Sequence, residues 1–315
     1  MKNWMILLVA LAFGLQSAFA ARLYPSKGRV VDEQGQAIEY ATVVLLDNGE
    51  QVAGMATDPE GRFSLKVPTG DYTLQIQYLG YEPLTQSVWR MTLEGDTQWI
   101  TAPGQFVNIA LEGRYLRRPI SVCDYDERTI TLIYKVVGDG TAQMSRMAAG
   151  AELDLLTGLG NGFSIRGEVQ RPLLVGGGVG VPPLYHLAKR LLAAGRPVEV
   201  ILGFNTAAEC FYEEEFRALG CTVTVATADG SRGVRGFVTT AIAEWKPDFD
   251  YFYACGPLPM LRALAEAVGQ DGQLSFEERM GCGFGACMGC SCQTKYGNKR
   301  ICKEGPVLEK GEIIW

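Results

Sequence analysis

The sequence has a single histidine, His186, in 315 residues. This scarcity excludes metal sites built from several histidines, and a Ser-His-Asp triad would depend on that one residue without a supporting motif. Long basic runs are also lacking and the formal net charge is −6, so we expect neither nucleic acid nor an anionic membrane surface as the main partner. After residue 20, no apolar stretch reaches the roughly 20 residues that a membrane span needs.

Residues 1–20, MKNWMILLVALAFGLQSAFA, have the composition of a secretory signal peptide. Lys2 gives the positive start, residues 5–15 form the apolar segment, and residues 18–20 provide a small-x-small cleavage site. The signal predicts export into a compartment where cysteines form disulfides.

Residues 21–83 have the pattern of a small all-β domain. Short alternating strands are separated by turn signals at residues 58–61 and 68–71, which favours a β-sandwich. The segments KGRVVDEQGQAIEYATVVLL and GRFSLKVPTGDYTLQIQYLGYE resemble the carboxypeptidase regulatory-like domain. This resemblance implies a structural or adhesive module, of the kind that precedes outer-membrane TonB-dependent receptors.

The rest of the sequence changes character twice. Residues 84–168 are rich in strands, residues 169–272 alternate strands with helices, and residues 273–315 form a cysteine-rich tail. Alternating strands and helices are typical of a parallel, doubly wound α/β sheet. We therefore expect a multidomain chain with two β-rich segments before an α/β domain and its tail.

A glycine-rich turn follows the first strand of the α/β segment, in LLVGGGVGVPP. Gly177, Gly178 and Gly180 allow the backbone to approach a pyrophosphate, which the N-terminus of the next helix attracts. The spacing departs from G-x-G-x-x-G because Val181 takes the last glycine position. A plain tight turn is therefore the alternative.

A second strand end, YACGPLPM, breaks into a turn before a helix. Two such ends in one parallel sheet can flank a dinucleotide at its carboxyl edge. The residues expected there are Cys255, Gly256, Pro257 and Met260. Cys255 is a candidate to approach the nicotinamide ring; otherwise it is a small buried residue.

The sequence favours NAD over NADP. The segment GFNTAAECFYEEEF offers acids and no arginine for a 2′-phosphate. We expect Asp229, in TADGS, to bind a ribose hydroxyl. The nearby Arg232 keeps NADP as an alternative, because an arginine can bind the 2′-phosphate.

The tail holds five of the nine cysteines. Cys282, Cys287 and Cys290 have the spacing C-x4-C-x2-C, and Cys302 follows, which is the plant-type [2Fe–2S] pattern. Zinc would favour paired C-x2-C elements, and a disulfide knot is a further alternative. Cys292 competes with Cys290 for the third position, although the x2 spacing favours Cys290.

From residue 84 onward the chain resembles the electron-transfer subunit of NAD-dependent, type B dihydroorotate dehydrogenase. The resemblance lies in the segments PGQFVNI, LRRPISV, IYKVVGDGT, LLVGGGVGVPPL, CGPLPML and EERMGCGFGAC. It implies a ferredoxin-reductase-like fold, with an FAD-binding β-barrel over residues 84–168, an NAD domain over residues 169–272 and a [2Fe–2S] tail over residues 273–315.

The resemblance also implies cofactor residues and a partner. The FAD residues would be Arg118, Pro119, Ile120, Ser121, Ile133, Tyr134, Lys135, Gly140 and Thr141, and the cluster ligands Cys282, Cys287, Cys290 and Cys302. A separate FMN-containing catalytic subunit would oxidise dihydroorotate in pyrimidine (UMP) biosynthesis, with both subunits assembled as a heterotetramer. Electrons would pass through the cluster and FAD to NAD+ in the cytoplasm.

The junction near residue 84 departs from the family pattern. The family's subunit begins with a strand about 15 residues before SVWRMTLEG and has no signal peptide, whereas here YTLQIQYLGYEPLT also reads as the last strand of the β-domain. Either residues 74–79 serve the barrel or the barrel lacks its first strand. We interpret the chain as a fusion, whose export signal conflicts with a cytoplasmic cofactor half.

Two other functions fit the sequence. One is a flavin and [2Fe–2S] reductase subunit for a different partner, such as a hydrogenase, a sulfide dehydrogenase or a transhydrogenase. The other is an exported β-sandwich binding module whose C-terminal half is non-functional.

Overall fold

The structure is a computed structural model that describes residues 24–31, 36–37, 41–47, 50–68, 73–77, 81–147 and 150–315. The predicted signal peptide, residues 1–20, lies outside the described residues. Of the described residues, those up to 81 with 150–151 form one compact unit, and residues 82–147 with 152–315 form a second. None of the helices in these ranges has the length and apolar character that crossing a membrane requires.

The first unit is built from β-strands, as the sequence predicts. Its described strands are β1 (Tyr24–Arg29), β2 (Thr42–Asp47), β3 (Glu50–Ala56), β4 (Arg62–Val67) and β5 (Thr73–Gln77). β1 pairs with β4, and β2 lies between β3 and β5, all antiparallel. Alternate side chains of β4 are buried, and Phe63, Leu65 and Val67 pack with Val43 and Leu45 in a small core.

Strand β5 is the segment that the sequence could assign either to the first β-domain or to the barrel. It is hydrogen-bonded to β2, with Leu74 opposite Leu45 and Ile76 opposite Val43. A separate three-residue strand, β6 (Tyr81–Pro83), pairs with β7 (Val88–Glu94) in the next sheet. β5 therefore belongs to the first unit, and the short β6 takes the place beside β7.

The β-rich part of the second unit continues with a small helix. Its remaining elements are β8 (Phe106–Ile109), β9 (Arg118–Tyr125), β10 (Thr129–Lys135), α1 (Asp139–Met144) and β11 (Leu155–Leu159). The strand order among described residues is β11-β8-β9-β10-β7-β6. In the β8–β9 pair, Ile109 lies opposite Arg118 and Asn108 opposite Pro119.

Residues 172–309 contain the α/β sheet and the tail. Their elements are β12 (Pro172–Gly177), α2 (Pro183–Ala193), β13 (Glu199–Phe204), α3 (Glu213–Leu219), β14 (Thr222–Thr227), β15 (Val234–Arg235), α4 (Val238–Trp245), β16 (Tyr251–Cys255), α5 (Leu258–Ala267), β17 (Gly272–Ser275), β18 (Ser291–Thr294), β19 (Gly297–Arg300) and β20 (Val307–Glu309). Within this continuously described range the sheet order is β15-β14-β13-β12-β16-β17-β20. Only β20 runs antiparallel to its neighbour. The chain proceeds outward from β12 on one side and from β16 on the other, so their carboxyl ends form the switch point at which open α/β sheets bind ligands.

Strands β6–β11, which are called the barrel strands below after the barrel predicted for this segment, share one apolar core with the α/β sheet. Val88, Cys123 and Ile133 of the barrel strands pack in the same cluster as Leu174 of β12 and Leu187 of α2. This common core keeps the carboxyl edge of the sheet next to the barrel strands.

A polar contact ties β9 to α2. The Asp124 carboxylate lies 2.7 Å from Nδ1 of His186 and accepts hydrogen bonds from Nζ of Lys189 at 2.8 and 2.9 Å. The Tyr125 ring stacks on the His186 imidazole with ring centroids 4.1 Å apart. The Asp124 carboxyl is partly buried, which alone would raise its pKa, but His186 and Lys189 hold the pKa below its ordinary value.

Candidate functional site: a cavity between two domains and a cysteine loop

A cavity of about 590 Å³ lies between the barrel strands and the carboxyl edge of the α/β sheet. The barrel side contributes Ser87, Val88, Ser121 and Lys135. The sheet side contributes residues 177–180, 203–205, 255–257 and 275–277. The volume falls within the usual range for pockets that hold small molecules and cofactors.

The predicted flavin motif begins at Arg118 on β9. A Cβ added at Gly140 would lie 2.1 Å from Nε of Arg118, so the guanidinium packs directly over this glycine. Arg117 is occupied differently, because its guanidinium pairs with Asp154 and donates to the Asn108 carbonyl oxygen. The structure thus separates the two adjacent arginines, and only Arg118 lies against the Gly140 turn.

The other predicted flavin residues lie on three neighbouring elements. Ser121 on β9 and Lys135 on β10 line the cavity, while Ile133 and Tyr134 are buried in the same strand. The Thr141 hydroxyl accepts hydrogen bonds from the backbone N–H groups of residues 137 and 138. These bonds fix the turn before α1 against Arg118.

The predicted dinucleotide turn at the end of β12 lines the cavity. A Cβ at Gly180 would lie 2.3 Å from the Cys255 carbonyl oxygen, and one at Gly177 would lie 2.4 Å from Sδ of Met260. Gly178 has φ +54°, a conformation that favours glycine. The glycines therefore allow the ends of β12 and β16 to meet without side chains between them.

The second predicted strand end faces this turn. Cys255, Gly256, Pro257 and Met260 all line the cavity. Burial raises the pKa of the Cys255 thiol to about 12, although Ser275 opposes the shift through a hydrogen bond. Cys255 is therefore a neutral thiol at physiological pH rather than a nucleophilic thiolate.

Asp229 does not line the cavity. Its carboxylate accepts hydrogen bonds from the backbone N–H and hydroxyl of Ser231 within an exposed turn. Asn205 and Glu209, which follow β13, line the cavity instead. Oε2 of Glu209 accepts a hydrogen bond from Nδ2 of Asn205 at 2.8 Å. A ribose contact by Asp229 stays a prediction, and the acid that follows β13 and lines the cavity is Glu209.

Further lining residues were not predicted from the sequence. They are Ser87, Val88, Gly203, Phe204, Asn205, Glu209, Phe211, residues 236–239, Pro259, Ala263 and residues 275–277. Asn205 and Phe276 could have been found, because each directly follows a parallel strand at the ligand-binding edge. Ser87 and Val88 had no such signal, since only tertiary packing brings β7 to the sheet.

The tail cysteines form two adjacent pairs. The backbone N–H of Cys287 donates a hydrogen bond to Sγ of Cys282, and the backbone N–H of Cys302 donates one to Sγ of Cys290, both at 3.4 Å. In the described part of the chain, no three His, Cys, Asp or Glu side chains converge tightly enough to hold a single metal ion. Two pairs of thiols instead fit a [2Fe–2S] cluster, in which four thiolates are shared between two irons.

Backbone N–H groups point at the sulfur of Cys282, the first of the predicted ligands. Ala286 and Cys287 donate to Sγ of Cys282 at 3.2 and 3.4 Å. Burial would raise the pKa of this thiol, but the backbone N–H groups of Cys287, Phe284 and Ala286, together with the Cys287 thiol, lower it to about 6. In the second pair, burial and then the Cys290 thiol raise the pKa of Cys302 to about 12. Cys282 thus favours the thiolate form that metals bind.

Cys292 lies on β18, opposite Lys299, and packs beside the apolar core that contains Cys290 and Cys302. The remaining cysteines outside the tail are Cys123, Cys210, Cys221 and Cys255. Burial raises the pKa of Cys123, Cys210 and Cys221, as expected for ordinary packed thiols. The described residues include all nine cysteines, and each is a free thiol.

Three family models match the chain. The carboxypeptidase regulatory-like domain matches residues 27–102, the oxidoreductase NAD-binding domain matches residues 174–266, and the iron–sulfur cluster binding domain of dihydroorotate dehydrogenase B matches residues 277–314. The first match extends past residue 83 and includes β6 and β7.

Curated relatives point to the same enzyme as the family model that matches the tail. The dihydroorotate dehydrogenase B (NAD(+)) electron transfer subunit of Fusobacterium nucleatum is 45% identical over 244 residues, covering 73% of this chain and 94% of the relative. That of Bacillus caldolyticus is 46% identical over 245 residues, with the same two coverages. The chain belongs to this family. The resemblance predicted from the sequence is confirmed, and the chain is an oxidoreductase subunit.

Solved structures place the family in the ferredoxin-reductase fold. An NADH-dependent reduced ferredoxin–NADP oxidoreductase, studied for flavin-based electron bifurcation, is 29% identical with a TM-score of 0.70. The match covers 75% of this chain and 88% of that structure. The ferredoxin reductase of carbazole 1,9a-dioxygenase shares the fold at 18% identity and TM-score 0.51, over 71% of this chain and 80% of its own. The predicted fold class, and FAD, NAD and a [2Fe–2S] cluster as its cofactors, are confirmed at this level.

Proposed function

We propose that the chain is the electron-transfer subunit of a dihydroorotate dehydrogenase B. It carries electrons from a partner subunit that oxidises dihydroorotate, in the route to UMP, to NAD+. The observation that carries this proposal is that one cavity is lined both by barrel strands and by the strand ends of the α/β sheet. Such a cavity allows a flavin and a nicotinamide to meet, which hydride transfer requires.

The flavin site we propose consists of Arg118, Pro119, Ile120, Ser121, Ile133, Tyr134, Lys135, Gly140 and Thr141. Arg118 supplies a forked cation suited to a pyrophosphate, and its contact with Gly140 restricts the directions its guanidinium can take. Ser121 and Lys135 present polar groups to the cavity. FAD, when bound, supplies the exchange between two-electron hydride transfer and one-electron transfer.

The nicotinamide site we propose consists of Gly177, Gly178, Gly180, Cys255, Gly256, Pro257 and Met260, with Asp229 as an outer ribose contact. The N-terminus of α2 follows the glycine turn and attracts the pyrophosphate. Glu209 disfavours the 2′-phosphate of NADP, because this acidic residue lines the cavity and like charges repel. We therefore propose NAD as the preferred dinucleotide.

The cluster ligands we propose are Cys282, Cys287, Cys290 and Cys302. Cys282 with Cys287, and Cys290 with Cys302, are joined by backbone hydrogen bonds to sulfur, and two such pairs match the requirement of two thiolates for each iron. Cys292 lies on a β-strand outside both pairs, and we assign it no ligand role.

We propose an FMN-containing catalytic subunit as the partner, in a heterotetramer in the cytoplasm. We also propose the division into a signal peptide (1–20), a carboxypeptidase regulatory-like domain (21–83), an FAD domain (84–168), an NAD domain (169–272) and a cluster tail (273–315), joined by fusion. The pairing of β5 with β2 supports a boundary in the low eighties.

Co-expression with a catalytic subunit from a family member tests the function. The purified complex should show flavin and iron–sulfur absorption and should reduce NAD+ only when dihydroorotate is added. A complex that carries both cofactors but gives no dihydroorotate-dependent NADH would contradict the proposal. A matched control omits the catalytic subunit and should give no NADH.

A second candidate is a reductase subunit for another partner. The 29% identity to the NADH-dependent reduced ferredoxin–NADP oxidoreductase favours it. In that case the loaded chain would exchange electrons with ferredoxin and fail to associate with the catalytic subunit.

A further inference from the structure

Asn108 connects the β8 strand to the cluster loop. Its side chain is only 1% exposed, and its Nδ2 donates a hydrogen bond to the carbonyl oxygen of Cys282 at 3.2 Å. The contact joins positions 174 residues apart in the chain. Asn108 therefore holds the backbone of the first cysteine of the tail from outside the tail.

The cluster loop is shaped to receive this amide. Gly283 has φ +79°, and a Cβ added there would lie 2.3 Å from Nδ2 of Asn108. A side chain at position 283 would therefore both strain the backbone and displace the amide. The glycine allows the loop backbone to approach Asn108 closely.

The other side of Asn108 is attached to the proposed flavin strand. In the β8–β9 pair, Asn108 lies opposite Pro119, between the Ile109–Arg118 and Val107–Ile120 pairs. The Arg117 guanidinium also donates to the Asn108 carbonyl oxygen at 3.3 Å. One residue thus contacts the strand of the flavin motif through its backbone and the cluster loop through its side chain.

A buried asparagine at position 108 lowers the stability of the fold relative to an aliphatic residue. Within the described residues, its Oδ1 atom is enclosed and has no hydrogen-bond partner. An unsatisfied buried acceptor destabilises a fold, whereas an aliphatic residue of similar size would not. Because Oδ1 is enclosed, it does not face the cavity either. The amide is therefore explained by its bond to Cys282 rather than by stability or by ligand contact.

We propose that Asn108 is a positioning residue that fixes the separation of the flavin and the [2Fe–2S] cluster by holding the Cys282 loop on β8. The inference rests on the proposed function, in which electrons pass between these two groups. Loss of the bond leaves the flavin site and the cavity intact but releases the loop from the flavin strand.

The test uses the full chain, loaded with FAD and cluster, in wild-type and Asn108→Leu forms. Asn298→Leu is the matched control, because Asn298 is exposed on the β18–β19 hairpin of the same tail. NADH is mixed anaerobically, flavin bleaching is followed by absorbance, and cluster reduction is followed by freeze-quench EPR. Chelator-driven cluster loss and thermal unfolding are measured in parallel.

For Asn108→Leu we expect flavin reduction by NADH within about twofold of wild type, since the cavity is untouched. Cluster reduction should slow at least several-fold. Cluster loss to chelator should accelerate by about 2- to 13-fold, the effect of one hydrogen bond. The unfolding temperature should be unchanged or higher, which a purely structural role would not give. Asn298→Leu should match wild type in all four measurements.

Asn108→Ala provides a second variant if leucine does not fit, and it should slow cluster reduction in the same way. Wild-type cluster reduction and chelator resistance in both variants would overturn the role of Asn108. A wild-type chain whose cluster is not reduced by NADH through the flavin would instead overturn the proposed function.

Discussion

Replacing Asp124 by asparagine removes the negative charge that ties β9 to α2. The carboxylate is 24% exposed and faces His186, which is 11% exposed, and Lys189, which is 38% exposed. Hydrogen bonds to charged groups contribute about 1.5–3 kcal/mol, but an exposed ion pair contributes only about 0.2–1 kcal/mol. We therefore expect Asp124→Asn to lower the free energy of unfolding by about 2 kcal/mol at pH 7. In a unit of this size, this loss corresponds to a fall in Tm of about 4–8 °C.

The loss should depend on pH in one direction. Because His186 and Lys189 hold the folded-state pKa of Asp124 below its ordinary value, the folded protein binds this proton less readily than the unfolded chain does. The stabilisation is then complete above about pH 5 and disappears as the pH falls through the folded-state pKa. The difference in the free energy of unfolding between wild type and Asp124→Asn should therefore decrease toward pH 3.

Thermal unfolding followed by circular dichroism at pH 7, 5 and 3 measures both effects. Asp248→Asn is the control, because Asp248 is 76% exposed and pairs with Arg171 at the surface. Its effect should stay within about 0.5 kcal/mol. An Asp124→Asn protein as stable as wild type at pH 7, or a gap equally large at pH 3, would refute the reasoning.

Three further changes test the cofactor sites. Gly180→Ala places a Cβ 2.3 Å from the Cys255 carbonyl oxygen, so NADH should bind about 5- to 150-fold more weakly in a fluorescence titration, with the cluster EPR signal retained. Cys290→Ser should abolish the [2Fe–2S] EPR signal and Cys292→Ser should keep it; a signal lost only in the second variant would reassign the ligand. Glu209→Gln should raise the ratio of NADPH to NADH activity by about tenfold, since it removes a negative charge from the lining of the proposed dinucleotide site; an unchanged ratio would show that Glu209 does not select between the two dinucleotides.

Local patterns predicted the α/β sheet and the cluster spacing. The turns at the ends of β12 and β16 can be recognised in the sequence by their glycine and proline residues, and both turns line the cavity. Cysteine spacing within one loop is likewise a local property, and the family model over residues 277–314 agrees with it.

Tertiary neighbours were harder to predict. The alternation in residues 73–77 fits either of two sheets, and only the hydrogen bonds to β2 decide between them. The sequence offers both the acids of GFNTAAECFYEEEF, which include Glu209, and Asp229, and only the lining of the cavity distinguishes Glu209 from Asp229. Asn108 gave no signal, because its partner lies 174 residues away.

The single histidine makes the contact between β9 and α2 directly observable. Since His186 is the only histidine in the sequence, labelling of histidine rings alone gives a single set of imidazole resonances, whose assignment needs no mutagenesis. The stacked Tyr125 ring, 4.1 Å away, should shift these resonances by its ring current. One spectrum then reports whether the two halves around the cavity remain joined while dinucleotide is added.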